Sequence, residues 1–549
     1  MIRVRTIFRL SKKADNKRPQ FLYSPAFTSC KSKCRTFGHS AFQLQQAENK
    51  GPKLTADAYP NVKRDSRYNT ITPADIEVFK KIVADPATGV IESYTNPDAQ
   101  HDIEPFNTDW MNKYRGQSKL LLRPRSTEEV SKILKHCSER NLAVVPQGGN
   151  TGLVGGGVPV FDEIIVNLSL MNTIRSFDAV SGTLVCDAGC VLEMADQWLE
   201  KHGYLFPLDL GAKGSCMVGG NVATNAGGLR LLRYGSLHGN VLGLEVVLPD
   251  GTILENLKTL RKDNTGYDLK QLFIGSEGTL GIITGVSILC PQRPKARNVA
   301  MLGLGTYNDV QKAFREAKIH LSEILSAFEF MDKSAHDFTV HHSGNKAPLD
   351  EPHEFYCVVE TSGSNKEHDD IKLQEYLEAV MEKGLIEDGI LAQDETQANK
   401  IWALREGVPE SLSKLGGTYK YDVSIPLDSF YDIVIDVGNK LTKEGLIDPE
   451  DTNVPGIAVV GYGHIGDGNL HLNVAVRRYS KDLENALEPY VFEWISKHNG
   501  SISAEHGLGF SKRAFVHFSQ NETSLDLMRK IKDLIDPKKI LNPYKYIEK

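Results

Sequence analysis

Apolar positions between residues 116 and 254 follow two alternating patterns. Short, nearly continuous apolar runs predict buried strands, and stretches in which apolar residues recur every three or four positions predict helices. Helices are expected at 126–140, which begins with the capping-box pattern Ser126-Thr-Glu-Glu129, and at 191–202. This alternation predicts two α+β subdomains. The segments predicted as strands are 119–123, 142–145, 163–168, 183–188 and a hairpin at 244–254.

The remainder of the chain has longer helical patterns and fewer glycines. Helices are predicted at 310–325 and 371–383, with a strand at 355–360 between them, and a last helix at 525–535 is expected to be capped by Ser524. We therefore predict an N-terminal arm, a first α+β domain, a second domain of ferredoxin-like fold and a C-terminal helical segment. Their predicted bounds are 51–115, 116–295, 296–510 and 511–549.

Composition is that of a globular enzyme. The chain has 549 residues, of which 40% are hydrophobic and 24% are charged, enough for two or more domains with large cores. A net charge of −6 gives no reason to expect a nucleic-acid partner, and no apolar run approaches the ~18 residues that would span a membrane. The eight cysteines form no Cys-x-x-Cys pair, which argues against a structural zinc site and predicts reduced, buried thiols.

The first 50 residues form a distinct basic segment. Residues 1–47 contain ten Lys or Arg and a single acid, Asp15, together with several hydroxyl side chains. Such a segment cannot bury much apolar surface, and its composition is typical of a mitochondrial transit peptide. A basic tail with no targeting role is the alternative. The favoured interpretation predicts import into the mitochondrial matrix, with cleavage near residues 35–40.

Three glycine-rich stretches are the strongest functional signal. They lie at 146–157, 211–228 and 273–284, and the first follows the predicted strand at 142–145. Glycine after a strand lets backbone N–H groups approach a phosphate without interference from a Cβ atom. Neither the Gly-x-Gly-x-x-Gly pattern nor the P-loop pattern is present in these stretches. The sequence therefore predicts an extended ligand with a pyrophosphate and planar rings, bound outside a Rossmann or P-loop fold.

The order of these motifs resembles the FAD-binding domain of the vanillyl-alcohol oxidase family. The resemblance continues through 261–270 and His464-Ile-Gly-Asp-Gly-Asn-Leu-His471, where it is closest to D-2-hydroxyglutarate dehydrogenases and their D-lactate dehydrogenase relatives. It covers about residues 55 to 549. The resemblance implies an α+β fold, with a two-subdomain FAD-binding domain of the p-cresol methylhydroxylase (PCMH) type at 116–295. A ferredoxin-like substrate domain and a C-terminal segment returning to the FAD domain would follow.

The same resemblance implies which residues contact FAD. Several relatives carry a histidine after the paired glycines of the first loop and attach FAD covalently, whereas this chain has Asn150 there, so we expect noncovalent FAD. The positions implied as FAD-binding are Gln147, Gly148, Gly149, Asn150, Thr151, Gly152, Pro207, Gly211, Ser215, Gly219, Gly220, Asn221, Thr224, Gly228, Gly281, Ile283 and Asn542.

His464 and His471 bracket a glycine-containing segment, and Glu505 lies in a later stretch, Ser503-Ala-Glu-His-Gly-Leu-Gly509. In a straight strand the two histidines would face opposite sides, so the glycine segment must turn the chain to bring them together. Spacing alone fits two structural histidines at least as well as two ligands. The resemblance, in which the matching positions bind zinc, favours a His2Glu metal site with an open position. Manganese or cobalt would also suit these ligands.

Four further residues are candidates for the chemistry. His506 follows Glu505 and, as a histidine, suits proton removal from an alcohol, although it could instead only orient its neighbour. Arg405 and Lys420 match family positions that hold the substrate acid, and Asn473 shares a strand face with His471. Some relatives carry a hydroxyl residue four positions after the arginine, where this chain has Pro409.

The resemblance predicts an FAD enzyme that oxidises a D-2-hydroxy acid, foremost D-2-hydroxyglutarate to 2-oxoglutarate. D-lactate dehydrogenase and D-2-hydroxyglutarate–pyruvate transhydrogenase are the alternative enzymes. A non-enzymatic alternative is a flavin-binding protein without turnover. The electron acceptor stays open among electron-transfer flavoprotein, cytochrome c and pyruvate. The oligomeric state is open as well, a homodimer being one option.

Overall fold

Three β-sheets organise the computed structural model, which describes residues 52–344 and 346–547. The predicted presequence at 1–50, with Cys30 and Cys34, lies outside the described residues. The strands are β1 (Val90–Glu92), β2 (Leu120–Leu122), β3 (Val144–Gln147), β4 (Ile164–Asn167), β5 (Ile174–Asp178), β6 (Thr183–Asp187), β7 (Val241–Val247), β8 (Ile253–Asn256), β9 (Ile282–Leu289), β10 (Ala296–Leu304), β11 (Leu325–Asp332), β12 (Phe355–Gly363), β13 (Asp388–Leu391), β14 (Gly417–Ser424), β15 (Gly456–His464) and β16 (Asn469–Val476).

Helices cover the sheets and connect their strands. They are α1 (Thr55–Ala58), α2 (Pro73–Ile82), α3 (Pro86–Gly89), α4 (Gln100–Asn107), α5 (Thr127–Arg140), α6 (Leu192–Glu200), α7 (Val218–Ala223), α8 (Leu231–Tyr234), α9 (Leu237–Asn240), α10 (Lys270–Phe273), α11 (Tyr307–His320), α12 (Lys333–Ser343), α13 (Lys366–Glu382), α14 (Glu395–Glu406), α15 (Val408–Ser413), α16 (Asp432–Lys443), α17 (Lys481–Leu487), α18 (Tyr490–Lys497) and α19 (Glu522–Ile535).

The first two sheets build the two predicted α+β subdomains. The first has the order β1-β2-β4-β3, and β2, β4 and β3 run parallel, so these short strands are buried on both faces. The second has the order β5-β6-β9-β7-β8 and is antiparallel throughout. Their apolar side chains share one core. The α+β class expected from the alternating pattern is confirmed.

The third sheet has seven antiparallel strands in the order β13-β10-β12-β11-β15-β16-β14. Its first half connects β10-α11-β11-α12-β12-α13-β13, which is the ferredoxin-like βαββαβ unit predicted for this domain with α12 inserted between β11 and β12. Side chains alternate between two cores: Cys357 and Val359 face one, and Tyr356 and Val358 face the other. Helices α11 and α13 pack on one face of this sheet. Helices α12, α14 and α15 pack on the other face, which also carries the site described below.

Several predicted boundaries differ from the structure. The helix predicted at 310–325 is α11, which ends at His320 because Leu325 begins β11 while packing into the same core. The last helix begins at Glu522 and is capped by Asn521, whose side chain accepts the N–H of Ser524. Ser126 caps α5 as predicted, but the capping box is not closed, because the Glu129 carboxylate accepts from the N–H groups of Ala84 and Arg125 instead.

The segment after α19 returns to the first sheet. Leu541 forms a parallel bridge with Val144, and the N–H of Asn542 donates to the Val144 carbonyl at 2.8 Å. Residues 540–542 therefore extend the sheet beyond β3. No helix in the part of the chain that the structure describes is long and apolar enough to cross a membrane. The six described cysteines are buried free thiols.

Candidate active site

A cleft lies where the loops of the first two sheets meet. It is lined by the glycine loop after β3, by the start of α7 and by the segment leading into β9. Of the residues predicted to bind FAD, those lining the cleft are Gln147, Gly148, Gly149, Asn150, Thr151, Gly152, Gly219, Gly220, Asn221, Thr224, Gly281 and Ile283.

The glycines of this cleft fit a ligand that approaches the backbone. A Cβ atom on Gly149 would lie 2.0 Å from the Ser215 carbonyl oxygen, and one on Gly219 would lie 2.5 Å from the Ala188 Cβ. These two positions therefore need glycine for the segments around the cleft to pack this closely. Gly152 and Gly220 have no atom within 4 Å of the equivalent position and face open space. The cradle therefore suits the pyrophosphate and rings of FAD.

Polar side chains fix the glycine loop. The Gln147 amide donates to the carbonyl oxygens of Phe106 and Gly157 at 2.9 and 2.8 Å, which ties both ends of the loop. Asn150 adopts a left-handed conformation with φ of 53°, and its amide donates to the Thr108 carbonyl at 2.8 Å. Asn150 is thus held by the N-terminal arm, and its amide offers no nucleophile that could attach flavin covalently.

Five residues predicted to bind FAD lie outside the lining of the cleft: Pro207, Gly211, Ser215, Gly228 and Asn542. The N–H of Gly228 donates to the Glu505 carboxylate at 2.9 Å, and the Asn542 amide donates to the carbonyl oxygens of Gly156 and Glu277. Gly228 therefore helps to position Glu505, and Asn542 helps to position Gly156 and Glu277.

The predicted metal ligands meet at a hairpin. β15 ends at His464 and β16 begins at Asn469, so the glycine segment turns the chain and His471 pairs with Tyr462. The Nε2 atoms of His464 and His471 are 3.4 Å apart, and one ring nitrogen of each histidine lies within 4.8 Å of the other and of a Glu505 carboxylate oxygen. Two imidazoles and one carboxylate at this spacing fit a divalent metal such as zinc.

Glu329 on β11 supports this cluster and was not anticipated from the sequence. It is 3% exposed, accepts from His464 Nδ1 at 2.9 Å, and binds Arg405 Nε and Nη2 at 3.0 and 2.9 Å. Burial lowers the pKa of His464, but the Glu329 carboxylate outweighs it and raises the pKa to about 9. A carboxylate on the second ring nitrogen fixes the tautomer that leaves Nε2 facing a metal.

Asp422 on β14 holds the neighbouring loop. One of its oxygens accepts the N–H groups of Glu505 and His506 at 2.9 and 3.1 Å, and the other accepts the Asn469 amide at 2.7 Å. Burial alone would raise the pKa of Asp422, but the His506 imidazole and the Lys512 ammonium hold it well below its usual range. Asp422, Glu505 and His506 also cluster, yet the oxygens of Asp422 already accept three hydrogen bonds.

His506 belongs to both parts of the site. Its side chain is 27% exposed and lines the flavin cleft, while its Nδ1 lies 3.7 Å from Asp422 and its Nε2 lies 3.9 Å from Glu505. This imidazole therefore stands between the predicted flavin and the predicted metal.

The predicted substrate residues surround the same hairpin. Arg405 on α14 is buried, with its guanidinium 5.0 Å from the centre of the Tyr462 ring. Lys420 is opposite Asn473 in the β14–β16 pair, two residues from Asp422 and therefore on the same face. Lys420 is exposed, and the Asn473 side-chain oxygen is buried without a hydrogen-bond partner among the described residues.

Glu277 also escaped the sequence analysis. It lines the flavin cleft, and its carboxylate accepts the N–H groups of Leu508 and Gly509, both at 2.7 Å. Burial raises its pKa to about 7. A signal for Glu329 was present, because it is the single acid within residues 325–331 of a mostly apolar run, and a buried acid must find a partner.

Two family models match the chain. The model described as the FAD binding domain matches residues 118–256, and the model described as the C-terminal domain of FAD linked oxidases matches residues 293–546. Among solved structures, p-cresol methylhydroxylase superimposes with a TM-score of 0.64 at 14% identity, covering 88% of this chain and 98% of its own. That likeness confirms the PCMH-type fold.

Curated relatives are far more similar. The mitochondrial D-2-hydroxyglutarate dehydrogenase of Bos taurus is 54% identical, over 90% of this chain and 87% of the relative. The D-2-hydroxyglutarate–pyruvate transhydrogenase of Saccharomyces cerevisiae is 51% identical, over 90% and 98%. A mitochondrial protein of Schizosaccharomyces pombe that carries a provisional D-lactate dehydrogenase name is 54% identical, over 90% and 94%.

Proposed function

The chain belongs to the FAD-linked oxidase family that includes D-2-hydroxyglutarate dehydrogenases, and from that membership we propose that it oxidises D-2-hydroxyglutarate to 2-oxoglutarate. Relatives with that name from Bos taurus and Arabidopsis thaliana share 54% and 51% of its residues over 90% and 88% of the chain. The observation that carries the proposal is the place of His506, one imidazole between the flavin cleft and the His464, His471 and Glu505 cluster.

The substrate is a five-carbon diacid, so its site needs positive charge at two places. Arg405 uses Nε and Nη2 to bind Glu329, which leaves Nη1 to meet a substrate carboxylate. Lys420 stands on the edge strand of the same sheet face and is assigned to the distal carboxylate. The unpartnered oxygen of Asn473, opposite Lys420 on β16, is assigned to a hydroxyl donor of the substrate.

His506 is assigned as the base. It removes the proton of the C2 hydroxyl while the C2 hydrogen leaves as a hydride, which yields the keto acid. Asp422, 3.7 Å from Nδ1, stabilises the imidazolium that forms. FAD, when bound, supplies the acceptor for that hydride. His464, His471 and Glu505 would hold a divalent metal, zinc or a metal of similar preference, and that metal would polarise the hydroxyl.

FAD is proposed to be bound without a covalent link, since Asn150 occupies the position at which several relatives attach flavin. D-lactate oxidation is the competing substrate assignment and is supported by the provisional name of the Schizosaccharomyces pombe relative. Electron transfer to pyruvate is the competing assignment for the second half-reaction, supported by the transhydrogenase relative. Electron-transfer flavoprotein and cytochrome c are the protein acceptors to compare with it.

We place the protein in the mitochondrion, and within it in the matrix. The support is the basic composition of residues 1–47 and the mitochondrial names of relatives from three organisms. A homodimer is proposed as the state to test first, by light scattering at several protein concentrations.

Anaerobic mixing with a panel of D-2-hydroxy acids tests the proposal. D-2-hydroxyglutarate should bleach the flavin absorbance faster than D-lactate, and each candidate acceptor is then added to the reduced enzyme. Faster bleaching by D-lactate would transfer the assignment to that acid, and no bleaching by any acid would leave a flavin-binding protein without turnover.

Two variants separate the metal from the base. His471→Ala should lose bound metal and turnover together, because one of the three ligands is gone. His506→Ala should keep both metal and flavin but reduce flavin more slowly, by roughly the 10²–10⁴-fold expected for a lost general base. Full metal content in His471→Ala would contradict the ligand set, and normal reduction in His506→Ala would move the base to another residue.

A further inference from the structure

Glu277 lies where three parts of the molecule meet. Its N–H donates to the Ala223 carbonyl at the end of α7 at 2.7 Å, and its own carbonyl accepts the Asn542 amide of the C-terminal return at 2.8 Å. The backbone is left-handed at this residue, with φ of 51°, and only 9% of the residue is exposed. A non-glycine residue in this conformation is held there by its surroundings.

The Glu277 carboxylate reaches across to the loop that carries Glu505 and His506. Oε1 accepts the N–H of Leu508 and Oε2 accepts the N–H of Gly509, each at 2.7 Å. Both distances lie at the short end of the range for N–H···O hydrogen bonds. Both oxygens are therefore committed to two consecutive N–H groups.

The glycines of this loop make the contact possible. Gly507 has φ of 79°, and a Cβ atom on it would lie 2.5 Å from Glu277 Oε1. Gly509 has φ of 48°, and a Cβ atom on it would lie 2.4 Å from the Val154 carbonyl oxygen of the flavin loop. The loop is shaped to lie directly against the flavin domain.

The opposite end of the loop is held in the same way by the substrate domain. Asp422 on β14 accepts the N–H groups of Glu505 and His506. Two carboxylates from two domains thus take the N–H groups of residues 505, 506, 508 and 509. The metal ligand and the base stand on a short segment whose position is fixed from both sides.

We propose that Glu277 is a positioning residue that sets the place of His506 relative to the flavin by clamping residues 508 and 509. The inference rests on the proposed role of His506. Glu277→Gln keeps the size of the side chain, but its amide nitrogen presents hydrogens to one of the two N–H groups, so one hydrogen bond is lost. Glu255→Gln, an exposed change on β8 of the same domain, is the matched control.

The experiment has two measurements on the flavin-loaded enzyme. Amide hydrogen exchange of peptides covering 505–511, without substrate, should be at least 10-fold faster in Glu277→Gln than in the wild type and in Glu255→Gln. The limiting rate of flavin reduction by D-2-hydroxyglutarate should fall by about 10- to 100-fold, as expected for a reacting group misplaced by about 1 Å. The substrate concentration at half-maximal rate should stay within about twofold, because Arg405 and Lys420 are unchanged.

Each remaining outcome overturns the proposal. Unchanged exchange, with or without slower reduction, would mean that Glu277 does not hold the loop, and faster exchange with a normal reduction rate would mean that the clamp does not align His506. If D-2-hydroxyglutarate does not reduce the flavin of the wild type, the proposed substrate is refuted. The exchange measurement would still show whether Glu277 holds residues 508 and 509.

A second variant covers the case in which Glu277→Gln fails to fold or to retain flavin. In Gly507→Ala, the added Cβ atom would collide with the Glu277 carboxylate and displace it from residues 508 and 509. It should give the same faster exchange of 508 and 509, and wild-type exchange in that variant would overturn the clamp.

Discussion

Glu329 gives the sharpest test of the metal assignment, because it touches a predicted ligand without being one. It binds His464 Nδ1 at 2.9 Å and Arg405 on the other side. Glu329→Gln keeps an oxygen that can accept from Nδ1 but removes the negative charge. The change therefore isolates the electrostatic contribution of the carboxylate to a cation at His464 Nε2.

The magnitude follows from the pKa of His464. Its rise from 6.5 to about 9 corresponds to roughly 3.4 kcal/mol in favour of a positive charge on the ring. The Glu329 carboxylate should stabilise a divalent cation at His464 by at least as much. At pH 7, however, the metal must first displace the proton from His464, and this costs roughly 2.7 kcal/mol of binding free energy in the wild type. The remaining advantage, together with the ordinary 10- to 100-fold effect of such partners, predicts a loss of metal affinity of about 10²-fold at pH 7.

The assay is competition for zinc with a chromophoric chelator, measured from pH 7 to pH 9. Wild-type affinity should rise about tenfold per pH unit up to about 9, because one proton leaves His464 as the metal binds. Glu329→Gln should show no such slope above pH 7, so the gap between the two proteins should widen with pH.

Glu360→Gln is the matched control. Glu360 lies on the adjacent strand β12 and binds Arg297 and Trp402, an arrangement similar to that of Glu329 but without a histidine. Its zinc affinity should equal that of the wild type. Equal affinities in Glu329→Gln and wild type, or an equal loss in Glu360→Gln, would refute the reasoning.

Three further predictions concern the flavin, the substrate and the fold. Acid precipitation should release all flavin, since Asn150 cannot bond to it, and colour retained by the pellet would contradict this. Lys420→Met should lower kcat/KM for D-2-hydroxyglutarate by at least tenfold more than for D-lactate, which has no distal carboxylate, and equal losses would remove Lys420 from that role. Burial raises the pKa of Asp75, but its hydrogen bonds with Arg140, Thr72 and His136 lower the pKa below the unfolded value. The stabilisation therefore exists above about pH 4 and is lost as the pH falls through the native pKa. Asp75→Asn should therefore cost about 2–3 kcal/mol of unfolding free energy at pH 7, measured by urea titration, and the difference should shrink in acid.

The sequence predicted what depends on local pattern. The hairpin of β7 and β8, the strand β12 and the helix α5 follow from apolar runs and turn residues within about 15 positions. The turn that joins His464 to His471 could be inferred because both histidines lie on one short segment. Periodicity predicted that α11 exists but placed both of its ends wrongly, because it did not show that the helix stops at His320 and that Leu325 begins a strand.

The partners of the site residues could not be predicted, because they depend on the order of strands in a sheet. Glu329 and His464 are 135 residues apart in the chain and meet because β11 lies beside β15. Glu277 and Leu508 are separated by 231 residues and meet across two domains. Local pattern contains no information on such pairs, although a lone acid in a buried strand marks a residue whose partner remains to be found.

The return of residues 540–542 to β3 has a consequence for how the flavin domain is completed. Leu541 and Asn542 lie far along the chain from strands β2, β3 and β4 and the first glycine loop, yet their contacts with Val144, Gly156 and Glu277 complete the sheet edge and the wall of the cleft. Until this segment packs against the first sheet, β3 has an unpaired edge. The flavin cleft can therefore be completed only after the C-terminal segment has folded back onto it.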